Sequence, residues 1–179
     1  MLSKKIEKAL NEQIAKEANA TFYYLAMASW AHSQALDGTA GFLYRHSNEE
    51  NMHMHKIFNY INETGGHALV PEIKKVPNTF KSIEEVFNLI LESELAVTKA
   101  VNNIVAACYD EKDFATLNFM QWFVAEQHEE EVLFRRILDK IKLIGTDFKG
   151  IYTLDKEIGM IRAGGAGQGK GKGEEEQQQ

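Results

Sequence analysis

The sequence predicts an all-α chain: a four-helix bundle with one long crossover and a short fifth helix at its C-terminal end. Three observations predict it. Apolar residues recur at helical spacing through four long stretches. Short glycine-rich or acidic breaks separate the first stretch from the second and the third from the fourth, so each pair should form an antiparallel hairpin. The chain's only prolines, Pro71 and Pro77, both fall in one longer connection between the two hairpins.

The first helix is expected from about Ser3 to Leu36, stopping at Asp37-Gly38, where glycine suits a C-cap. The second runs from about Thr39 to Thr64 and ends at Gly65-Gly66. A third opens at Ser82, with Glu85 three residues on as a capping box, and continues to about Tyr109. The turn Asp110-Glu111-Lys112-Asp113 can cap the fourth helix, which reaches Ile144 before Gly145. A short fifth helix is expected from about Leu154 to Ile161. The long helices would each span about 40 to 50 Å. The connection from Gly65 to Lys81, extended, covers up to about 56 Å. That is enough to return along the whole bundle and set the second and third helices parallel.

A length of 179 residues suits one domain with a real core, and 44% hydrophobic with 26% charged residues is ordinary for a globular chain. A net charge of −6 argues against a nucleic-acid partner and is compatible with handling cations. The single cysteine, Cys108, excludes an intrachain disulfide framework and reads as a small core residue. No apolar signal core follows Lys4-Lys5, and the longest nearly apolar run, Phe22 to Ala31, is too short to span a bilayer. The expectation is a cytoplasmic protein of one bundle domain over residues 1–161. Residues 162–179, rich in Gly, Glu and Gln, should form a disordered tail.

Acidic residues interrupt the apolar seams in a repeated pattern. Displaced by 77 positions, Glu17 falls on Glu94, Glu49 on Glu126, Glu50 on Gln127 and His53 on Glu130. Helical phase sets Glu17 among Leu10, Ile14, Tyr24 and Ala28, and Glu50 and His53 among Leu43, His46, Ile57 and Tyr60. Glu94 sits among Ile90, Val97 and Val101, and Gln127 and Glu130 among Phe123, Phe134 and Ile137. An unpaired buried carboxylate costs several kcal/mol, and no lysine or arginine lies near the middle of these stripes. A pair of divalent cations resolves the conflict, and an oxygen-rich set with one imidazole suits iron or manganese better than zinc or copper. Tyr24 could hydrogen-bond a ligating carboxylate or be an ordinary core tyrosine, and Trp122 is similarly ambiguous. His46, one turn from Glu50, reads as core packing; His32, His55, His67 and His128 have no such support. Glu49, Glu126 and Glu129 form a group beside the seam, either a solvated acidic edge or a more open cation position sharing Glu130.

At Glu17, Tyr24, Glu49-Glu50-Asn51-Met52-His53, Glu94 and the run from Asn118 to Glu131, above all Gln127-His128-Glu129-Glu130-Glu131, the chain closely resembles the bacterial non-haem ferritins. The resemblance covers about Met1 to Ile161 and includes Ile151 to Glu157, which looks like the start of that family's fifth helix. It implies a ferritin-like fold and a ferroxidase centre where Fe(II) meets dioxygen or hydrogen peroxide, with Glu17, Glu50, His53, Glu94, Gln127, Glu130 and Tyr24 as its working residues. One iron would sit at Glu17, Glu50 and His53 and a second between Glu50, Glu94 and Glu130, with Gln127 nearby. A third would use Glu49, Glu126, Glu129 and Glu130. It also implies a homo-oligomeric shell of 24 subunits holding ferric mineral. The haem-binding relatives of this bundle carry Glu-x-x-His on the fourth helix too, and a methionine directly after the second-helix glutamate. Here those positions are Gln127-x-x-Glu130 and Asn51, so no haem is expected. A small di-iron oxidoreductase or peroxidase on the same bundle is the alternative. It is disfavoured because no Cys-x-x-Cys iron domain is present to deliver electrons.

Overall fold

The computed structural model describes residues 2–145 and 147–162. The described residues form five helices: α1 (Lys4–Ser33), α2 (Asp37–Glu63), α3 (Ile83–Asp110), α4 (Phe114–Ile144) and α5 (Phe148–Met160). The tail expected over 162–179 lies, apart from Arg162, outside the described residues.

Local chemistry sets most of the helix ends. Ser3, Ser82, Asp113 and Asp147 each accept a hydrogen bond from a first-turn N–H of α1, α3, α4 and α5 respectively. The capping box at Ser82 is altered: Glu85 N–H donates to Ser82 Oγ at 3.1 Å, but the Glu85 carboxylate reaches back to the Lys81 N–H instead. Gly65 and Gly145 take positive φ after α2 and α4, as helix-terminating glycines do. The first turn differs from expectation. α1 ends at Ser33, and the left-handed residue is Ala35 (φ 58°), not Gly38. Leu36 N–H closes onto Ala31 O at 3.0 Å, so the chain reverses before the glycine is reached. α5 also starts six residues earlier than expected, because the Asp147 carboxylate bonds Gly150 N–H at 2.7 Å and nucleates a turn through otherwise poor helix formers.

Gly38 has another task. α2 has no side-chain cap of its own; its exposed first N–H groups are taken by Asp155 of α5, whose carboxylate accepts from Gly38 N at 3.0 Å and Thr39 N at 2.7 Å. In return Arg45 of α2 donates to the carbonyls of Gly159 (2.9 Å) and Ile161 (2.8 Å) at the end of α5. The two helices cross so closely that a Cβ on Gly38 would lie 2.0 Å from Asp155 O, and one on Gly159 would lie 2.8 Å from Gly38 Cα.

The crossover runs beside α1 from end to end. Leu69 N–H bonds Asn11 Oδ1 (2.7 Å), Lys74 N–H bonds Asn19 Oδ1 (2.9 Å), and Phe80 sets its edge against Tyr23 and Trp30. The rising order of both partners makes α2 and α3 parallel, as the length of the connection predicts. Backbones pack closely within each hairpin and between α1 and α3, whereas α2 and α4 meet only through side chains. The apolar core is split in two. One part gathers Met27, Phe42, Phe87 and Phe134 with Leu154 and Ile158 of α5; the other gathers Ile6, Leu10, Ile61, Val101, Met120 and Phe123. Each large side chain here contributes about 1.5–3 kcal/mol by leaving water. The layer between the two is polar.

Gly38→Ala should lower stability by roughly 1–3 kcal/mol through overpacking at the α2–α5 crossing. Gly41→Ala, whose new Cβ meets only an arginine tip at 3.5 Å, should instead be neutral or stabilising by up to about 1 kcal/mol. Chemical denaturation of the two variants checks the contrast.

Candidate metal centre

The polar layer holds acids from all four long helices. Glu17 (α1), Glu50 and His53 (α2), Glu94 (α3), and Gln127 and Glu130 (α4) are each at most 5% exposed. Single-residue steps along the helices explain why they converge: each occupies the phase of its helix that otherwise carries core residues. Glu17, Glu50 and His53 bring one donor atom each within 4.8 Å of one another, all buried. His53 Nδ1 stands 3.5 Å from Glu50 Oε2. Opposite them, Glu94 is held on both oxygens: Tyr24 OH donates to Oε1 at 2.7 Å and Gln127 Nε2 to Oε2 at 3.1 Å. On α1, Gln13 Nε2 donates to Glu17 Oε1 at 2.7 Å.

Two further buried groups adjoin. Glu49, His53 and Glu126 form one, and His46, Glu49 and Glu130 the other. Glu129 is exposed and belongs to neither. His46, read from sequence as a packing residue, has Nε2 3.6 Å from Glu130 Oε2. Its place on the Glu50–His53 face was the signal available for it. Gln13, one turn before Glu17 on the same face, is a second polar contact the sequence reading did not single out. Trp122 is half-buried, with its ring edge-on to His53 at 5.2 Å and the Lys56 ammonium over its face. His32, His55, His67 and His128 are exposed, and Cys108 is buried with its thiol pushed up to about 11 by desolvation.

The electrostatics follow from burial. Desolvation pushes Glu17 and Glu50 well above the carboxylate range; the Glu50 charge adds to the effect on Glu17, and the Glu94 charge to that on Glu50. Glu94 rises to about 7, from desolvation and then the Glu130 charge, against the lowering effect of its Gln127 and Tyr24 hydrogen bonds. Desolvation likewise takes Glu49 to about 7. His46 is depressed by its own burial but raised overall by Glu130. No lysine or arginine among the described residues pairs with Glu17, Glu49, Glu50, Glu94 or Glu130. Without cations the layer therefore holds protons; with cations it offers oxygen ligands on four sides and imidazole on one.

The sign of the resulting pH dependence is fixed. Folded values near 7 for Glu49 and Glu94, against 4.5 ordinarily, mean the folded chain binds more protons than the unfolded one between those limits. The metal-free protein should lose stability as pH rises from about 4.5 through about 7, and Glu94→Gln should flatten that fall. Denaturant midpoints measured at intervals across this range check it.

Comparison with known proteins shows the family. Residues 7–144 match the family model for the Ferritin-like domain. The chain is 48% identical over 158 residues to the bacterial non-haem ferritin of Campylobacter jejuni, covering 88% of this chain and 95% of the relative. It is 37% identical over 161 residues to that of Escherichia coli, covering 88% and 96%. An open-pore ferritin from the archaeon Archaeoglobus fulgidus superposes with a TM-score of 0.88 at 38% identity, over 90% of this chain and 99% of that one. On these matches, and with the fold they share, the chain belongs to the ferritin-like family, among its bacterial non-haem ferritins.

Proposed function

We infer that this chain oxidises ferrous iron at the carboxylate layer and stores the ferric product. The observation that carries this reading is a buried set of acids from four helices with no lysine or arginine among the described residues to neutralise them. Iron is the substrate. One Fe(II) is taken by Glu17, Glu50 and His53, a second by Glu50, Glu94 and Glu130, with Gln127 beside it. Glu50 bridges, and two ions held together can deliver two electrons in one encounter with dioxygen or peroxide. Dioxygen takes up those two electrons and two protons and leaves as hydrogen peroxide. Ferric iron gains more than ferrous iron from the anionic oxygens, which favours the oxidised product. Tyr24 and Gln127 fix the Glu94 carboxylate, so its geometry is set before iron arrives.

A third position, which the family resemblance assigns to Glu49, Glu126, Glu129 and Glu130, would receive iron leaving the pair; of these, Glu49, Glu126 and Glu130 are buried beside it and Glu129 is exposed. Bulk storage needs an enclosed space, and a 24-subunit homo-oligomeric shell is the assembly consistent with the family. Exposed apolar side chains on α1, α2 and the crossover, including Phe22, Leu25, Tyr44 and Val70, support burial between subunits. The location proposed is the cytoplasm; among the described residues no helix is long and apolar enough to cross a membrane.

Glu94→Ala should slow Fe(II) oxidation by about 100-fold, as removal of a ligand or its close support does, while leaving the helical fold intact. Stopped-flow absorbance with circular dichroism reads both, and an unaltered rate would refute the assigned roles. Fe(II) binding by the native protein should release protons and weaken as pH falls below about 7, where Glu49 and Glu94 become protonated. Anaerobic titration calorimetry in buffers of differing ionisation heat measures the release. Aerobic iron loading followed by size separation tests storage: many irons per chain in a large particle are expected. Saturation at two or three per chain in a small oligomer would favour a di-iron enzyme instead.

A further inference from the structure

His46 Nε2, a Glu49 oxygen and a Glu130 oxygen lie within 4.8 Å of one another. The three residues are 0%, 4% and 4% exposed, and His46 Nε2, Glu49 Oε2 and Glu130 Oε2 have no hydrogen-bond partner among the described residues. Three buried, unpartnered donors pointing at one volume are costly unless something occupies it.

The imidazole is fixed in a ligating attitude. Its Nδ1 lies 3.1 Å from the Phe42 carbonyl. A carbonyl oxygen only accepts, so Nδ1 carries a proton and it is Nε2, facing Glu49 and Glu130, that gives up its proton and offers a lone pair when a cation enters. Phe42 at 4.0 Å and Phe134 at 5.5 Å hold the ring plane. A backbone carbonyl behind a ring nitrogen is the support metal-bound histidines commonly have. The 3.6 Å from Nε2 to Glu130 Oε2 is too long for a hydrogen bond. It matches two ligands on one cation, since bonds of about 2.1 Å at a tetrahedral angle separate their atoms by about 3.4 Å.

We propose that His46 is a metal ligand, completing with Glu49 and Glu130 a third divalent-cation position of mixed nitrogen and oxygen donors. This rests on the reading of Glu49 and Glu130 as iron-binding, and it makes a buried imidazole, not the exposed Glu129, the fixed donor of that position. An imidazole raises the affinity for borderline cations such as Co(II) and Zn(II) over that of an all-carboxylate site. Zinc should therefore compete with iron at this position more strongly than it would at an all-oxygen one.

The test uses Co(II) alone on the metal-free assembled protein, by equilibrium dialysis and visible absorption. The native chain should bind about three Co(II), and His46→Phe, which keeps a ring against Phe42, about two, with the visible absorption of the third Co(II) lost. Equal Co(II) content and an unchanged spectrum in His46→Phe would overturn the proposal. A second measurement leaves His46 in place: in His53→Ala protein, pulsed electron paramagnetic resonance of bound oxovanadium(IV) should still show an imidazole nitrogen coupling. Absence of that coupling would also overturn it. Neither readout involves oxidation. Loss of ferroxidase activity with His46-dependent Co(II) binding intact would fault the function alone; normal oxidation with no His46-dependent binding would fault this site alone.

Discussion

Uncompensated negative charge at mid-bundle is the constraint to which the rest of the structure answers. Glu17, Glu50, Glu94 and Glu130 sit where a helical bundle would ordinarily place leucine or valine, and each costs several kcal/mol if ionised there alone. The chain meets that cost in two ways. Without iron, protons are retained, as the elevated values of Glu49 and Glu94 express. With iron, cations replace the protons. The two apolar clusters above and below supply the burial that offsets the cost of such a layer.

Rigidity at the site comes from unequal means on its two sides. Glu94 is clamped by Tyr24 and Gln127 from separate helices, so its carboxylate has little freedom. Glu17 is held by Gln13 on its own helix and by a hydrogen bond shared with Glu50 on α2, whereas Glu49 and Glu130 each keep an oxygen with no hydrogen-bond partner among the described residues. An iron site that must both bind and release benefits from this contrast. A fixed side sets the geometry, and a looser side can follow the ion as its charge and radius change.

The bundle was legible because helix period, glycine breaks and one long proline-containing connection are local signals that agree with one another. The positions of the acids were legible for the same reason, since phase alone set Glu17, Glu50, His53, Glu94, Gln127 and Glu130 on inward faces. Features that depend on contacts between distant segments were not. Gly38 looked like a helix terminator, but its role is to admit the backbone of α5, and nothing near it in sequence names Asp155 as its partner. His46 looked like packing because it lies one turn from Glu50 on an otherwise apolar face; its relation to Glu130 depends on how far apart α2 and α4 stand. Glu129 shares a motif with Glu126 and Glu130 but lies at a different angle around α4, and one residue of phase carries it to the exposed face.

The reciprocal capping of α2 and α5 has a consequence for biosynthesis. The first N–H groups of α2 emerge early from the ribosome, but their cap, Asp155, lies 117 residues downstream of Gly38. Throughout most of translation the first hairpin must exist with that helix start open to water and with its apolar end uncovered, because Leu154 and Ile158 arrive together with the cap. Only when nearly the whole chain has been made does one short helix close the end of the bundle. Completion of synthesis and completion of the core are thereby coupled, and a chain truncated before α5 carries the carboxylate layer without the end piece that shuts the fold around it.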